Sequence, residues 1–360
     1  MDIIRCFALL CVVSVHFFLN TDYYYLFLTG PRMYLLTLLR TASMSCVPLF
    51  ILLSGYLLNK KKPTKKYFSK IWKTLVIYVL ASSCCYLYSH YLSPGAPGSG
   101  SFGELIRQTL AFYAAPYAWY INMYLGLFFL IPYLNLIFHG LSSKKDRLVL
   151  IVILLVLTAL PGMLNVFQYN NGWHFSGKSL QYDQIFPNFW QLFYPVTYYI
   201  LGAYLREHPF KIKRIVHLGL TLLAIFLNGS MNYLICQHDY FLHGSWQDWQ
   251  ALPNVIQSVM IFSFLAQGDY SRLGPKTCNL LAKMSECCLG AFLVSWIFDC
   301  IFYPILERIQ PVMAYQIPYY PVIVLVIFTC SLGLSALLNG IYNLFSQLLS
   351  LLISKKSAAK

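Results

Sequence analysis

Arg5 and His16 lie eleven residues apart in an apolar stretch that begins RCFALLCVVSVH. On a helix that spacing is three turns plus about 20°, so both side chains share one face, separated by about 16 Å along the axis. Imidazole titrates closest to working pH and suits removal of a hydroxyl proton. A guanidinium is a fixed fork of donors matched to phosphate. The plain alternative is a packed His and an Arg that snorkels to the interface. Other polar groups stand in apolar runs: Arg40, Asp299, the i,i+4 pair Asn228 and Asn232, and Trp119, Tyr120 and Asn122 at the head of another run. Singly, such residues are most often helix–helix hydrogen bonds. Ionisable groups within membrane spans are costly, however, and mark function by default.

The elements that must position these groups follow from the apolar runs and the charges between them. The chain is 58% hydrophobic and only 11% charged, with a mean hydropathy of +0.59, outside the range of soluble domains. Runs long enough to cross a bilayer cover 3–20, 33–58, 72–92, 118–138, 148–167, 187–205, 214–236, 251–268, 287–307 and 320–353. Of the 26 Lys and Arg residues, 20 fall in alternate gaps, beginning with seven lysines between Lys60 and Lys73 and ending with Lys355, Lys356 and Lys360. Cytoplasmic loops retain such charge. The pattern predicts an all-α integral membrane protein: a bundle of about ten transmembrane helices in the cell membrane, with both termini cytoplasmic.

That topology puts Arg5 near the inner surface. His16, Arg40, Asn122, Asn228, Asn232 and Asp299 fall in the outer half, where they are expected to share one polar chamber. Residues 1–353 read as a single transmembrane domain and 354–360 as a basic tail. The first span lacks a cleavage site and reads as a permanent helix. The eleven cysteines lack metal spacing and read as small apolar packing groups, so no metal is expected. The even spread of basic residues over the cytoplasmic loops argues against nucleic acid as a partner. The outer segment 93–100 reads as a flexible loop. Trp173, His174, Trp246 and Trp249 in the outer segments suit either sugar stacking or interface anchoring.

Several stretches resemble the membrane acyltransferase-3 family. They are the opening DIIRCFALLCVVSVH, VPLFILLSGYLLNKKK from Val47, AWYINMYLGLFFLIPYL from Ala118 and YPVTYYILGAYL from Tyr194. The resemblance covers most of the chain. It implies transfer of an acyl group, typically acetyl from acetyl-CoA, to a hydroxyl of a cell-envelope glycan or its lipid-linked precursor. Under it His16 is the general base. Arg40, Tyr120, Asn122 and Asp299 support the reacting groups, and Arg5, Ser54 and Lys70 hold the acyl-CoA donor. Trp119, Asn228 and Asn232 bind the acceptor. Membrane lipid and glycan-assembly proteins are the further partners implied.

The chain departs from that family in two places. Ser295 stands in GAFLVSWIFD where members often carry a His, with Asp299 one turn later. A frequent His before the Trp-aromatic pair of the fourth span is also replaced, with Tyr117 nearby. The competing readings are a polysaccharide exporter or flippase without acyl-transfer chemistry, and a structural subunit or receptor. A single base in register with Arg5 favours the enzyme.

Overall fold

The computed structural model describes residues 1–92, 101–169, 174–175, 183–237, 239–241 and 244–358. The outer loop 93–100, Trp173 and the last two residues lie outside that set, and of His174 only the backbone is described. Among the described residues the regular structure is helical, apart from a two-residue ladder between Phe167–Gln168 and His174–Phe175 and isolated bridges of Phe27 with Tyr240 and Leu28 with Gln237. In chain order the helices are α1 (Asp2–Leu19), α2 (Gly30–Ser43), α3 (Cys46–Leu58), α4 (Lys65–Phe68), α5 (Ile71–Tyr91), α6 (Phe102–Leu110) and α7 (Trp119–Gly140). There follow α8 (Lys144–Thr158), α9 (Leu160–Leu164), α10 (Tyr194–Glu207), α11 (Arg214–Cys236), α12 (Leu252–Ala266), α13 (Pro275–Ile309) and α14 (Tyr320–Ala358).

Every expected apolar run contains a helix. Among the described residues, seven helical stretches are long and apolar enough to cross a membrane. The runs at 148–167, 187–205 and 251–268 yield shorter helices of 15, 14 and 15 residues. At 1.5 Å per residue these span about 21–23 Å, short of a hydrocarbon core of about 30 Å. The run at 33–58 is not one helix: it breaks at Met44–Ser45. Pro48 explains the break, because its ring collides with the carbonyl four residues earlier and it has no N–H to offer. Gln257 caps the broken end, donating to the Thr41 carbonyl (2.7 Å) and the Ser45 hydroxyl (2.8 Å).

Helix α1 is the centre of the bundle. From Ile4 to Phe18 most of its residues are buried, including Leu9, Val13, Phe17 and Phe18, as expected of a helix apolar on all sides. It packs chiefly on α13, α3 and α14. By contrast α11 presents Leu222, Leu223, Phe226 and Leu227 outward, a lipid-facing stripe. Helices α3 and α10 approach so closely that a Cβ on Gly55 would lie 2.0 Å from the Tyr199 carbonyl oxygen, and one on Gly202 would lie 2.1 Å from that of Leu52. Small residues at such crossings let two backbones meet, which is how membrane helices associate without a hydrophobic driving force.

Candidate active site

The contacts between α1 and α13 set the site. Arg5 Nη1 donates to Ser285 Oγ at 3.0 Å and to Asp2 Oδ1 at 3.2 Å. Eleven residues further along α1, His16 Nδ1 lies 3.2 Å from Asp299 Oδ2. Low-numbered residues of both helices meet at one end and high-numbered residues at the other, so the two run parallel. Ser285, Phe292 and Asp299 follow one another at intervals of seven residues on α13, two turns each; Ser285 meets Arg5, Asp299 meets His16, and Phe292 lines the same cavity as Val12. Ser285 falls outside the expected span 287–307. Helix α13 begins twelve residues earlier, with Pro275 at its first position, where a missing N–H costs nothing. The charges of Lys276, Lys283 and Glu286 hide this first part from any reading by apolarity.

At the far end of the seam, His16 and Asp299 are 5% and 1% exposed. Tyr117, just before α7, donates to Asp299 Oδ2 at 2.7 Å and stacks on the His16 ring, centroids 3.8 Å apart and planes 29° apart. The His16 Nδ1 and Asp299 Oδ2 atoms are close without being aligned for a hydrogen bond, so Nδ1 counts among the buried atoms lacking a partner. Such contacts often tighten only when substrate is bound. Asp299 Oδ1 and the Tyr303 hydroxyl also lack partners, and Tyr303 is an electrostatic neighbour of both Asp299 and Tyr117. A buried base, a carboxylate and a phenol thus keep spare bonding capacity in one place, and spare capacity in a buried cluster is what a reacting hydroxyl would use.

A cavity of about 310 Å³ reaches towards this cluster along the seam. Arg5, Thr74, Ser285 and Glu286 line its Arg5 end; Val12, Val47, Tyr120 and Phe292 line the end nearer His16. Its walls are otherwise mainly apolar, with Ser54 the polar exception on α3, donating to the Phe50 carbonyl at 2.9 Å. The size and polarity suit a ligand with one charged end and an extended apolar part. Among the described residues no group of three His, Cys, Asp or Glu could hold a metal ion.

The other expected site residues take different places. Lys70 is exposed and does not line the cavity; it ends the basic turn before α5. Asn122 is exposed on the outside of α7 while Tyr120 is buried against the cavity. Two residues apart on a helix is about 200°, so the two cannot face one chamber, and that much was already in the spacing. Trp119 is partly exposed and stacks on Trp249, centroids 4.8 Å apart. Arg40 is buried, but its Nε donates to the Tyr24 hydroxyl at 2.9 Å and its guanidinium lies 4.2 Å from the Phe241 centroid. These contacts tie it to the segments capping the bundle. Burial pushes the nearby Asp248 carboxyl above its ordinary range, with Arg40 acting against the shift.

Asn228 and Asn232 belong to an amide network. Asn228 donates to Asn254 (2.8 Å) and Gln257 (3.2 Å), and Asn232 donates to the Asn228 backbone carbonyl (3.0 Å) and side-chain oxygen (3.2 Å). Of the polar residues expected in one chamber, His16 therefore meets Asp299 and the amides join the end of α2, while Arg40 and Asn122 fall outside both groups. Tyr117, Ser285, Phe292 and Tyr303 complete the first. The sequence model of a family described as an acyltransferase domain matches residues 1–338. No curated protein and no solved structure matches the chain.

Proposed function

The chain belongs to the acyltransferase-3 family, and we propose that it transfers an acyl group, acetyl in the first instance, from cytoplasmic acyl-CoA to a hydroxyl of a cell-envelope glycan or its lipid-linked precursor. The observation that carries this reading is the parallel α1–α13 seam, with Arg5 at one end of a cavity and the unsatisfied His16–Asp299–Tyr117 cluster beyond the other. Parallel membrane helices have an odd number of crossings between them, and the expected ten-span topology puts seven between the first span and the ninth. Arg5 then faces the cytoplasm, where a guanidinium fork can hold the donor's phosphates. The thioester arm lies in the cavity beside Ser54 and Tyr124. The acceptor enters from the outer side, where Trp119 and Trp249 offer stacking faces, and glycan-assembly proteins or lipid carriers deliver it.

In the transfer step Asp299, turned towards Nδ1, holds the imidazole with Nε2 free to act as base. His16 takes the acceptor's hydroxyl proton as that oxygen attacks the thioester carbonyl. The carbon–sulfur bond breaks, and the proton passes to the departing CoA sulfur. The phenols of Tyr120, which lines the cavity, and Tyr303, whose hydroxyl is unpaired, are the donors assigned to the developing oxyanion. Labelled acetyl-CoA binding to purified protein tests the inner half of this scheme. Wild type is expected to bind, and Arg5→Ala to weaken binding by about tenfold, the loss of one charge-assisted contact. Equal binding by the two proteins would remove Arg5 from the donor site. Reporter fusions at Lys66, Lys145, Lys213 and Lys276 should read cytoplasmic and one at Ser245 outside; any two reversed would sink the topology.

A further inference from the structure

The cavity stops short of His16. Phe292 lines its outer end and is 6% exposed. Its ring stands edge-on to Tyr120, centroids 5.7 Å apart, and 6.3 Å from Tyr117, which in turn covers the His16 imidazole. A ladder of rings, Tyr120–Phe292–Tyr117, thus closes the space through which a thioester would have to reach the base. Phe292 lies about 10 Å from both Ser285 and Asp299 along the axis of α13, midway along the seam. Ser295 donates to the Phe292 carbonyl at 2.9 Å, which fixes the backbone while leaving the ring's χ angles as the means of moving it.

A base that can activate a sugar hydroxyl can activate water equally well, and thioester hydrolysis would discharge the donor without product. An enzyme using His16 in this way must keep water from the loaded donor until the acceptor is seated. Resting on the donor and base assignments above, we infer that Phe292 is a specificity-determining residue. Its ring separates the donor cavity from His16 and so selects the glycan hydroxyl over water as acyl acceptor. Without the ring, water activated by His16 attacks the thioester carbonyl. A carbon–oxygen bond forms, the carbon–sulfur bond breaks, and the water proton moves through His16 to the CoA sulfur, giving free acid and CoA.

The test needs no knowledge of the glycan. Wild type, Phe292→Ala, Phe292→Leu and the double variant Phe292→Ala with His16→Ala are purified, and release of labelled acetate from acetyl-CoA is followed without acceptor. Binding of labelled acetyl-CoA is measured in parallel. Phe292→Ala should release acetate at least about tenfold faster than wild type, with the 10²–10⁴-fold that a positioned base supplies as the ceiling. Phe292→Leu, which keeps most of the apolar volume, should stay near wild type, and the double variant should fall back to the wild-type rate. Phe292→Val carries the same expectation as Ala should the Ala variant not fold. Since loss of structure does not create a hydrolase, the gain itself marks a gate. Normal binding with unchanged acetate release in Phe292→Ala overturns the inference, as does release that persists in the double variant. Failure of wild type to bind acetyl-CoA would instead bring down the donor reading, and this inference with it.

Discussion

The α1–α13 seam and the layer formed by α2, α11 and α12 both bury polar side chains among apolar helices, and they use them differently. In the layer, Asn228, Asn232, Asn254 and Gln257 bond one another and the broken end of α2; of their amide atoms only Asn232 Oδ1 lacks a partner, while Arg40 Nη1, His217 Nε2 and Ser258 Oγ, scattered elsewhere on the same helices, are also unpaired. In the seam, His16 Nδ1, Asp299 Oδ1 and the Tyr303 hydroxyl are all buried and unpaired. A saturated network holds helices together. An unsaturated one costs stability, about 1–3 kcal/mol for each stranded group, and persists where function requires it. Depth in the membrane does not distinguish the four amides from the His16–Asp299 cluster; what distinguishes them is that the amides bond chiefly one another, while a base, a carboxylate and a phenol stand together with atoms unpaired.

Four substitutions can break or sharpen that contrast. The largest effect is expected for His16→Ala, which should lower acyl transfer by about 10²–10⁴-fold per inserted molecule, the contribution of a positioned base, without lowering Tm in detergent. An active His16→Ala enzyme would move the seam into the structural class. Asp299→Asn keeps the shape but removes the charge that orients the imidazole. Transfer should fall by about 100-fold, the lower end of that same range, with acetyl-CoA binding unchanged; a defect confined to donor binding would put Asp299 at the wrong end of the path.

Asn228→Ala should do the reverse of both. Stability should fall by about 0.6–1.7 kcal/mol, from the average to the maximum found for polar contacts between membrane helices. Transfer per folded molecule should stay close to wild type, as it should for the outward-facing Asn122→Ala. A large loss of transfer at full stability in Asn228→Ala would show that the amide layer binds the acceptor after all, as its residues suggested when read by depth alone.

The sequence carried the helical class, the apolar runs and the shared face of Arg5 and His16, because these depend on composition and on the 3.6-residue repeat of a single helix. It also held the opposed directions of Tyr120 and Asn122, two residues apart. It did not contain the partner of each face. Arg40 and Asp299 fall at comparable depth by residue counting, yet Asp299 meets His16 while Arg40 turns to Tyr24 and Phe241. Depth is one coordinate, fixed by position along a span. Rotation about the helix axis and the choice of neighbour are the other two, and they come from packing between helices far apart in the chain. Only the tertiary structure laid the Ser285–Phe292–Asp299 ladder of α13 beside α1, because which of several apolar helices packs against α1 is decided by side-chain fit along the whole interface, which no local pattern records.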